Sequence, residues 1–322
     1  MKLRRIYCIL LPLLILMMAA GLCFGSAPLS FSDLAAGEGT ARIILLEIRL
    51  PRVLAGMLAG MGLSMAGVLL QSVTSNDLAG PNIIGINSGA GLAVILVLTF
   101  APGAAAWIPV AAFCGAFGAA LVILAAGNRL GSSRSGIVLL GIAITTIFNA
   151  LISFLTLLDE GVLAEYNHFT VGSLRGIRLH ELLVPGIVLV LGAVVAMALS
   201  GRLGLLSLGD GAAAALGIRV KQLRLMALGC AAACAAAVVS FTGLLGFVGL
   251  VVPHMARSLV GHRPARMLPV AALLGGTLVI LADLLGRTLF APSELPVGIL
   301  MSLVGGPYFL YLLVRRRHYA GN

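Results

Sequence analysis

The chain alternates between long apolar segments and short polar ones along its whole length. A helix needs roughly 20 consecutive apolar residues to cross the hydrocarbon core of a bilayer. Segments of about that length are 6–24, 53–73, 83–101, 108–127, 137–157, 183–200, 225–241, 243–260, 268–290 and 297–314. The pattern predicts an all-α integral membrane protein with about ten transmembrane helices, forming a single domain over residues 1–322.

One apolar stretch, residues 225–252, cannot be divided by hydropathy alone. At about 1.5 Å per residue it is too long for one upright span and too short for two full ones. Basic residues flank it on both sides: Arg219, Lys221 and Arg224 before it, and Arg257, Arg263 and Arg266 after it. Because Lys and Arg collect in cytoplasmic loops, both flanks belong inside and the chain turns back near residues 240–243. The result is ten spans with both termini in the cytoplasm, which places 15 of the 21 Lys and Arg residues inside.

The composition agrees with a membrane location. Apolar residues make up 60% of the chain and charged residues 10%, whereas a soluble domain has about 25% charged residues. The net charge of +10 follows from the basic cytoplasmic loops, and no nucleic acid partner is expected. Residues 1–24 resemble a signal peptide, but their apolar part is long enough to span, so an uncleaved first helix is favoured.

The sequence contains no arrangement typical of catalysis, of a metal site or of a cofactor site. The five His residues are dispersed, and all five Cys residues lie in apolar runs. Cys230 and Cys234 share a helix face, where a buried apolar role is favoured over a metal or redox pair. No Gly-rich phosphate loop with Lys-Ser/Thr is present, so an ATPase that powers this protein would be another chain. Carriers driven by protons or sodium usually place acids within the membrane, and few lie there in this chain. An externally powered transporter is therefore favoured over an ATP-independent secondary carrier, and a membrane enzyme is least favoured.

Two basic sites break the positive-inside trend. Arg49-Leu50-Pro51-Arg52 opens the second span on the outer side, and Arg287 lies near the outer end of the ninth. One interpretation is snorkelling, or local ion pairs with Glu47 or Asp283. The other is a basic outer surface that docks an acidic partner.

The polar segment 202–224 lies between two spans on the cytoplasmic side. Its Ala run 212–215 favours a helix, Gly217 would end that helix, and residues 218–224 could begin a second short one. Two short helices edged by Arg and Lys would suit a cleft on a soluble partner. The alternative is an ordinary amphipathic surface loop.

Several positions near the spans carry polar or small residues at places where helices pack. Asn76-Asp77-Leu78-Ala79-Gly80-Pro81 forms the inner turn after the second span. Asn87 and Ser88 come early in the third span, where they bridge helices, line a pathway or lie in close packing of small residues. Gly56, Gly60 and Ser64 form a small-xxx-small packing face.

Together these motifs resemble the permease subunits of type II ABC importers, the family that takes up ferric siderophores, haem and cobalamin. The resemblance covers about residues 42–316. It rests on Arg49-Leu50-Pro51-Arg52, Asn76-Asp77-Leu78-Ala79, Gly85-Ile86-Asn87-Ser88-Gly89-Ala90, Leu208-Gly209-Asp210, Ala215-Leu216-Gly217, Gly246-Phe247-Val248-Gly249-Leu250-Val251-Val252-Pro253-His254, Ala282-Asp283 and Glu294-Leu295-Pro296-Val297-Gly298.

The resemblance implies a ten-helix bundle like that of cobalamin-importer permeases, in the cytoplasmic (inner) membrane of a prokaryote. It implies a second permease subunit, identical or different, two ABC ATPase subunits beneath the pair, and an extracytoplasmic substrate-binding protein outside. Many members have Pro where this chain has Asp77 and an acid where it has Gly80. These forms look more like iron-siderophore permeases, so a ferric siderophore is the expected substrate, with cobalamin or haem as the alternatives.

The resemblance also implies roles for single residues. The segment that enters the ATPase cleft contains Leu208, Gly209, Asp210, Ala215, Leu216, Gly217 and Arg219. The residues that pair with acids of the binding protein are Arg49, Arg52 and Arg287. The cytoplasmic gate lies near Ser132, Ser133, Arg134 and Ser135. Pathway or packing positions are Asn76, Asn87, Ser88, Pro253 and His254.

Overall fold

The computed structural model describes residues 2–26, 40–81, 85–129 and 134–320. Every regular element among them is helical. Within these ranges, seven helices are long and apolar enough to cross a membrane, and three shorter apolar helices, Ile86–Phe100, Val248–Val260 and Val297–Tyr311, accompany them. The fold is therefore the predicted all-α membrane bundle, with the shorter helices completing the set of apolar segments.

The principal helices are α1 (Lys2–Cys23), α2 (Leu50–Thr74), α3 (Ile86–Phe100), α4 (Ile108–Arg129), α5 (Arg134–Thr156), α6 (Glu160–Val171), α7 (Leu183–Leu203), α8 (Asp210–Ala215), α9 (Val220–Thr242), α10 (Val248–Val260), α11 (Pro264–Thr288) and α12 (Val297–Ala320). A helical turn, Thr40–Ile43, and a π-helical turn, Ile44–Arg49, lead directly into α2. Short 3-10 turns occupy Pro102–Trp107, Leu179–Leu182 and Gly204–Leu208.

Helix α2 lies at the centre of the bundle and packs against α9, α10 and α11. Its contact with α11 is so close that a Cβ atom on Gly60 would meet the carbonyl group of Gly275. Ser64, one turn further along, is fully buried and donates to the Gly60 carbonyl oxygen at 2.6 Å. The small-residue face recognised in the sequence thus brings two backbones together, as such faces do in membranes.

Helix α9 ends at Thr242, and α10 begins only at Val248. The intervening segment 243–247 is not helical, and Phe247 has a left-handed backbone with φ 63°. Helix α10 has 13 residues, which is about 20 Å, whereas the hydrocarbon core is about 30 Å thick. If α10 ends at the inner surface, this break therefore lies within the depth of the membrane.

The outer stretch 158–181 contains more helix than the sequence suggests. Only about one turn is expected, near residues 163–169, but α6 has 12 residues. Asp159 caps its first turn by accepting a hydrogen bond from the Gly161 N–H at 2.7 Å. The far end of α6 reaches the break between α9 and α10, where Phe169 O accepts from Leu244 N–H at 3.1 Å.

The cytoplasmic segment differs from the predicted pair of short helices. A short α8 forms over the Ala run, and Gly217 follows it with φ 80°. Residues 218–224 do not form a second separate helix, because α9 begins at Val220 and continues without interruption to Thr242. The Ala-rich sequence after Arg224 contains no Pro and only one Gly, Gly229, which a helix tolerates, so the turn begun there extends into the span.

Candidate functional site

Arg52 lies at the centre of a charged cluster near the outer ends of α2 and α11. Its Nε lies 3.0 Å from both carboxylate oxygens of Asp283, and its NH2 lies 2.9 Å from Oδ1. Its NH1 donates to Glu294 Oε2 at 2.8 Å. One guanidinium thereby joins α2, α11 and the loop before α12.

The other two outer arginines bind the end of the first helix. Arg49 NH1 donates to the carbonyl oxygens of Leu22 and Cys23 at 2.8 and 2.6 Å. Arg287 donates to the Gly21 carbonyl oxygen, and its Nε lies 3.5 Å from Asp283 Oδ2. These carbonyl groups belong to the last turn of α1. Carbonyl groups in a last turn have no hydrogen-bond partner within their own helix, and they form the negative end of the helix dipole.

The predicted exposed basic surface is therefore wrong for these three side chains. Arg49, Arg52 and Arg287 are 3%, 7% and 2% exposed. These side chains can be buried because the protein itself provides their hydrogen-bond acceptors, namely two carboxylates and the carbonyl groups at the end of α1. The alternative considered from sequence, a local ion pair with Asp283, describes Arg287, whereas the pair of Arg52 with Asp283 joins residues 231 positions apart. A docking role for these arginines stays a prediction.

Glu294 is the acid of this cluster that lies outside the helices. It accepts hydrogen bonds from Arg52 and from the Ser26 hydroxyl, the latter at 2.8 Å. Burial alone would raise the pKa of the Glu294 carboxyl. The hydrogen bonds from Arg52 and Ser26, with the charges of Arg52 and Arg175, outweigh burial and hold that pKa below its ordinary value.

A cavity of about 630 Å³ lies where α3, α6, the α9–α10 break and α12 meet. Its walls include Asn87, Thr170, Phe247 and Ser302. Non-helical backbone at membrane depth is tolerated only where it is buried in protein or lines a water-filled cavity. The break after α9 meets this condition because Phe247 and its neighbours form part of the cavity wall.

Asn87 and Ser88 separate in the structure. Asn87 lines the cavity, whereas the Ser88 hydroxyl is buried and bonds Gly85 O at 3.1 Å and Thr145 Oγ1 at 3.3 Å. Ser88 thus joins α3 to α5.

The inner turn after α2 is tied to α10. Asn76 closes the turn by accepting a hydrogen bond from the Leu78 N–H at 3.0 Å. Asp77 forms an ion pair with Arg257 of α10, whose NH2 also donates to Gln71 Oε1 at 2.9 Å. Sequence reasoning missed the roles of Gln71 and Arg257. The sequence did offer one sign of this contact: Gln71 is a polar residue within an apolar span, six residues before Asp77.

Two further predicted sites are the Pro253-His254 pair and the gate region 132–135. Pro253 is buried within α10, and His254 is half-buried beside it. Ser132 and Ser133, predicted near the gate, lie outside the described residues. Arg134 and Ser135 form the first turn of α5.

The polar segment 202–224, called the coupling segment below after its predicted role, presents apolar side chains on the surface of the molecule. Leu208 and Leu216 are 61% and 60% exposed, and Ala215 and Arg219 are exposed as well. Its left-handed glycines have φ 95° at Gly209 and 80° at Gly217, one on each side of α8.

The segment is nevertheless anchored to the bundle. Leu206 and Ala213 are fully buried, and Asp210 accepts hydrogen bonds from Arg224 of α9 at 2.7 and 2.8 Å. The segment therefore combines a fixed base with two exposed leucines.

Over nearly its whole length, the chain is similar in sequence to known permease proteins of import systems. The iron(3+)-hydroxamate import system permease protein FhuG of Bacillus subtilis is 38% identical over 302 residues, covering 90% of this chain and 89% of that protein. The hemin transport system permease protein HmuU of Yersinia pestis is 37% identical, covering 96% and 95%. The cobalamin import system permease protein BtuC of Halobacterium salinarum is 36% identical, covering 89% and 77%.

A solved structure extends the likeness to three dimensions. A metal-chelate type ABC transporter in an inward-facing conformation matches with a TM-score of 0.87 and 29% identity, covering 97% of this chain and 99% of that one. The profile of the FecCD transport family matches residues 13–315. The chain therefore belongs to the FecCD transport family.

Proposed function

We propose that this chain carries ferric siderophores inward, as one of two permease subunits that receive substrate from an extracytoplasmic binding protein. The chain is a multi-pass permease subunit of an ABC importer in a prokaryotic inner membrane, and separate subunits hydrolyse the ATP. In the proposed assembly two ATPases lie beneath the permease pair, and both termini of each permease lie in the cytoplasm.

The substrate proposal rests on the inner turn and on the relatives. Asp77 and Gly80 occupy positions where Pro and an acid are common in the family. Relatives named for iron(3+)-hydroxamate and Fe(3+)-citrate import are 38% and 35% identical. Relatives named for hemin and cobalamin are 37% and 36% identical, so identity alone does not separate the alternatives.

The cavity supports the transport pathway proposal. Its volume of about 630 Å³ falls within the range of about 300–1,000 Å³ seen for small-molecule sites. Asn87, Thr170 and Ser302 place a few polar groups on its otherwise apolar wall, without a charge that would hold a substrate tightly. A pathway has to release what it binds, and this wall suits that requirement.

The substrate is tested with the cognate binding protein. Its affinity is measured by tryptophan fluorescence for a ferric hydroxamate, for haem and for cobalamin, and uptake is then measured in proteoliposomes containing the whole transporter. Tight binding and ATP-dependent uptake of the ferric hydroxamate alone are expected. Preferential uptake of haem or cobalamin would contradict the substrate proposal, and uptake without the ATPase would contradict the importer assignment.

The coupling proposal assigns the ATPase contact to Leu208, Leu216 and Arg219, around α8. Leu216→Asp replaces one of the two exposed leucines with a charged residue and should abolish co-purification with the ATPase. Leu259→Asp is a suitable control, because Leu259 is also exposed at the inner end of the bundle but lies outside this segment. Equal loss of the ATPase in both variants would reject the assignment.

The docking proposal now includes an exchange of partners. Glu294 already holds Arg52 NH1, so an acid of the binding protein that pairs with this nitrogen would have to replace it. Glu294→Gln should therefore tighten docking, whereas Arg52→Gln should weaken it. The affinity of the binding protein for reconstituted transporter, measured at two salt concentrations, distinguishes the two effects. Unchanged affinity in both variants would confine the cluster to a structural role.

A further inference from the structure

A groove of about 380 Å³ runs along the surface of the bundle between α1, α7 and α11. Tyr7 and Leu11 form one wall, Ala193 and Met197 another, and Pro269 and Leu273 the third. A second cavity of about 550 Å³ shares Tyr7 and Leu11 and continues along α1 to Arg4. In a protein that spans a membrane, a groove with such walls is filled by apolar chains rather than by water.

One end of this groove is basic. Arg4 precedes Tyr7 by three residues and Leu11 by seven, so the three share one face of α1. Arg266 has the same spacing to Pro269 and Leu273 on α11. Because Tyr7 and Pro269 line the same groove and each arginine lies one turn earlier on its helix, Arg4 and Arg266 both lie toward the inner end of the groove.

Both arginines are exposed, and neither has a carboxylate within salt-bridge distance in the described part of the chain. The two acids of the inner side are engaged elsewhere: Asp77 pairs with Arg257, and Asp210 pairs with Arg224. The inner end of the groove therefore carries positive charge that the protein itself does not neutralise.

We propose that the groove binds one anionic phospholipid of the inner leaflet, with an acyl chain along the apolar walls and its phosphate between Arg4 and Arg266. An apolar groove alone would accept any lipid tail, or a helix of another protein. The pair of arginines at its inner end selects a ligand that is apolar along its length and negative at one end. Tyr7 suits this boundary, because its ring is apolar and its hydroxyl is polar.

The first test measures lipid binding to the purified full-length chain by native mass spectrometry. Phosphatidylglycerol and phosphatidylcholine with identical acyl chains are titrated separately. Arg4→Gln and Arg266→Gln should each weaken phosphatidylglycerol binding about fivefold, as expected for one basic residue near an anionic headgroup. Arg178→Gln and Arg263→Gln are matched controls with the same charge change on exposed residues that do not precede residues of the groove wall by three and seven positions, and should stay within about twofold of the unaltered chain.

The second test fills the groove without changing charge. Ala193→Phe should displace the lipid, whereas Ala198→Phe, exposed on the same helix but not part of the groove wall, should not. The proposal is overturned if phosphatidylcholine binds as tightly as phosphatidylglycerol, if the control arginines matter equally, or if Ala193→Phe leaves binding unchanged. A polypeptide that co-purifies on this face in place of lipid would also overturn it.

Discussion

Asp283→Asn should destabilise the protein far more than its small change in shape suggests. The side chain of Asp283 is 4% exposed and that of Arg52 8%, and Arg287 faces the same carboxylate. Removing one partner of a buried ion pair leaves an uncompensated charge and costs about 3–5 kcal/mol. Asp210→Asn is the matched control, because its pair with Arg224 leaves the acid 48% exposed and such pairs contribute about 0.2–1 kcal/mol.

The assay is thermal unfolding in detergent, followed with a thiol-reactive dye. Cys8, Cys23 and Cys114, which are not buried, are replaced by Ser in every variant, so that the signal comes from Cys230 and Cys234, which are buried in α9 and become reactive when the bundle opens. At about 2 °C per kcal/mol for a large domain, Asp283→Asn should lower Tm by roughly 6–10 °C, and Asp210→Asn by about 2 °C or less. Equal decreases in Tm for the two variants would refute the reasoning that the buried ion pair of Asp283 contributes more to stability than the exposed pair of Asp210.

Three further predictions concern coupling, pH and the inner turn. Gly217→Val forces a β-branched residue into a left-handed conformation, and should leave ATP hydrolysis active while reducing uptake in proteoliposomes; normal uptake would contradict this. The contribution of Glu294 to stability is present above its unfolded pKa of about 4.3 and is lost as pH falls through its lower folded pKa. The Tm difference between the unaltered protein and Glu294→Gln should therefore be constant at neutral pH and shrink below about pH 4; a difference that persists at lower pH would count against it. Arg257→Gln should lower Tm more than Arg263→Gln, because only Arg257 joins the inner turn to α10; equal shifts would exclude that tie.

The sequence was informative wherever the membrane imposes a simple rule. Apolar length predicted most of the helices, and the basic residues that flank residues 225–252 predicted a turn near residues 240–243; α9 ends at Thr242. The left-handed turn after α8 followed from Gly217, since glycine adopts positive φ at little cost. These features depend on local composition, which a single sequence displays directly.

The charged outer cluster could not be predicted in the same way. Arg52 and Asp283 are 231 residues apart in sequence, and nothing local shows that they meet. The excess of arginine over acid at the outer helix ends therefore suggested an exposed basic surface. The structure reverses that interpretation because backbone carbonyls of α1, invisible in a count of charges, satisfy Arg49 and Arg287.

The fixed and movable parts of the bundle indicate how an ATPase could act on the cavity. Helix α2 is held to α11 at its outer end by Arg52 and in its middle by Gly60, and its inner turn is held to α10 by Asp77. These ties leave α2 a poor candidate for movement.

Helix α9 offers a different route. It begins at Val220, within the coupling segment and five residues after α8 ends, and at its far end Thr242 O accepts a hydrogen bond from Ser173 N–H, two residues after α6, at 2.8 Å. A displacement at the inner end of α9 would thus reach α6 and the cavity wall through one rigid helix. Ser173→Pro removes this donor, and should lower the substrate transported per ATP hydrolysed while hydrolysis continues. An unchanged ratio of transport to hydrolysis would exclude this route.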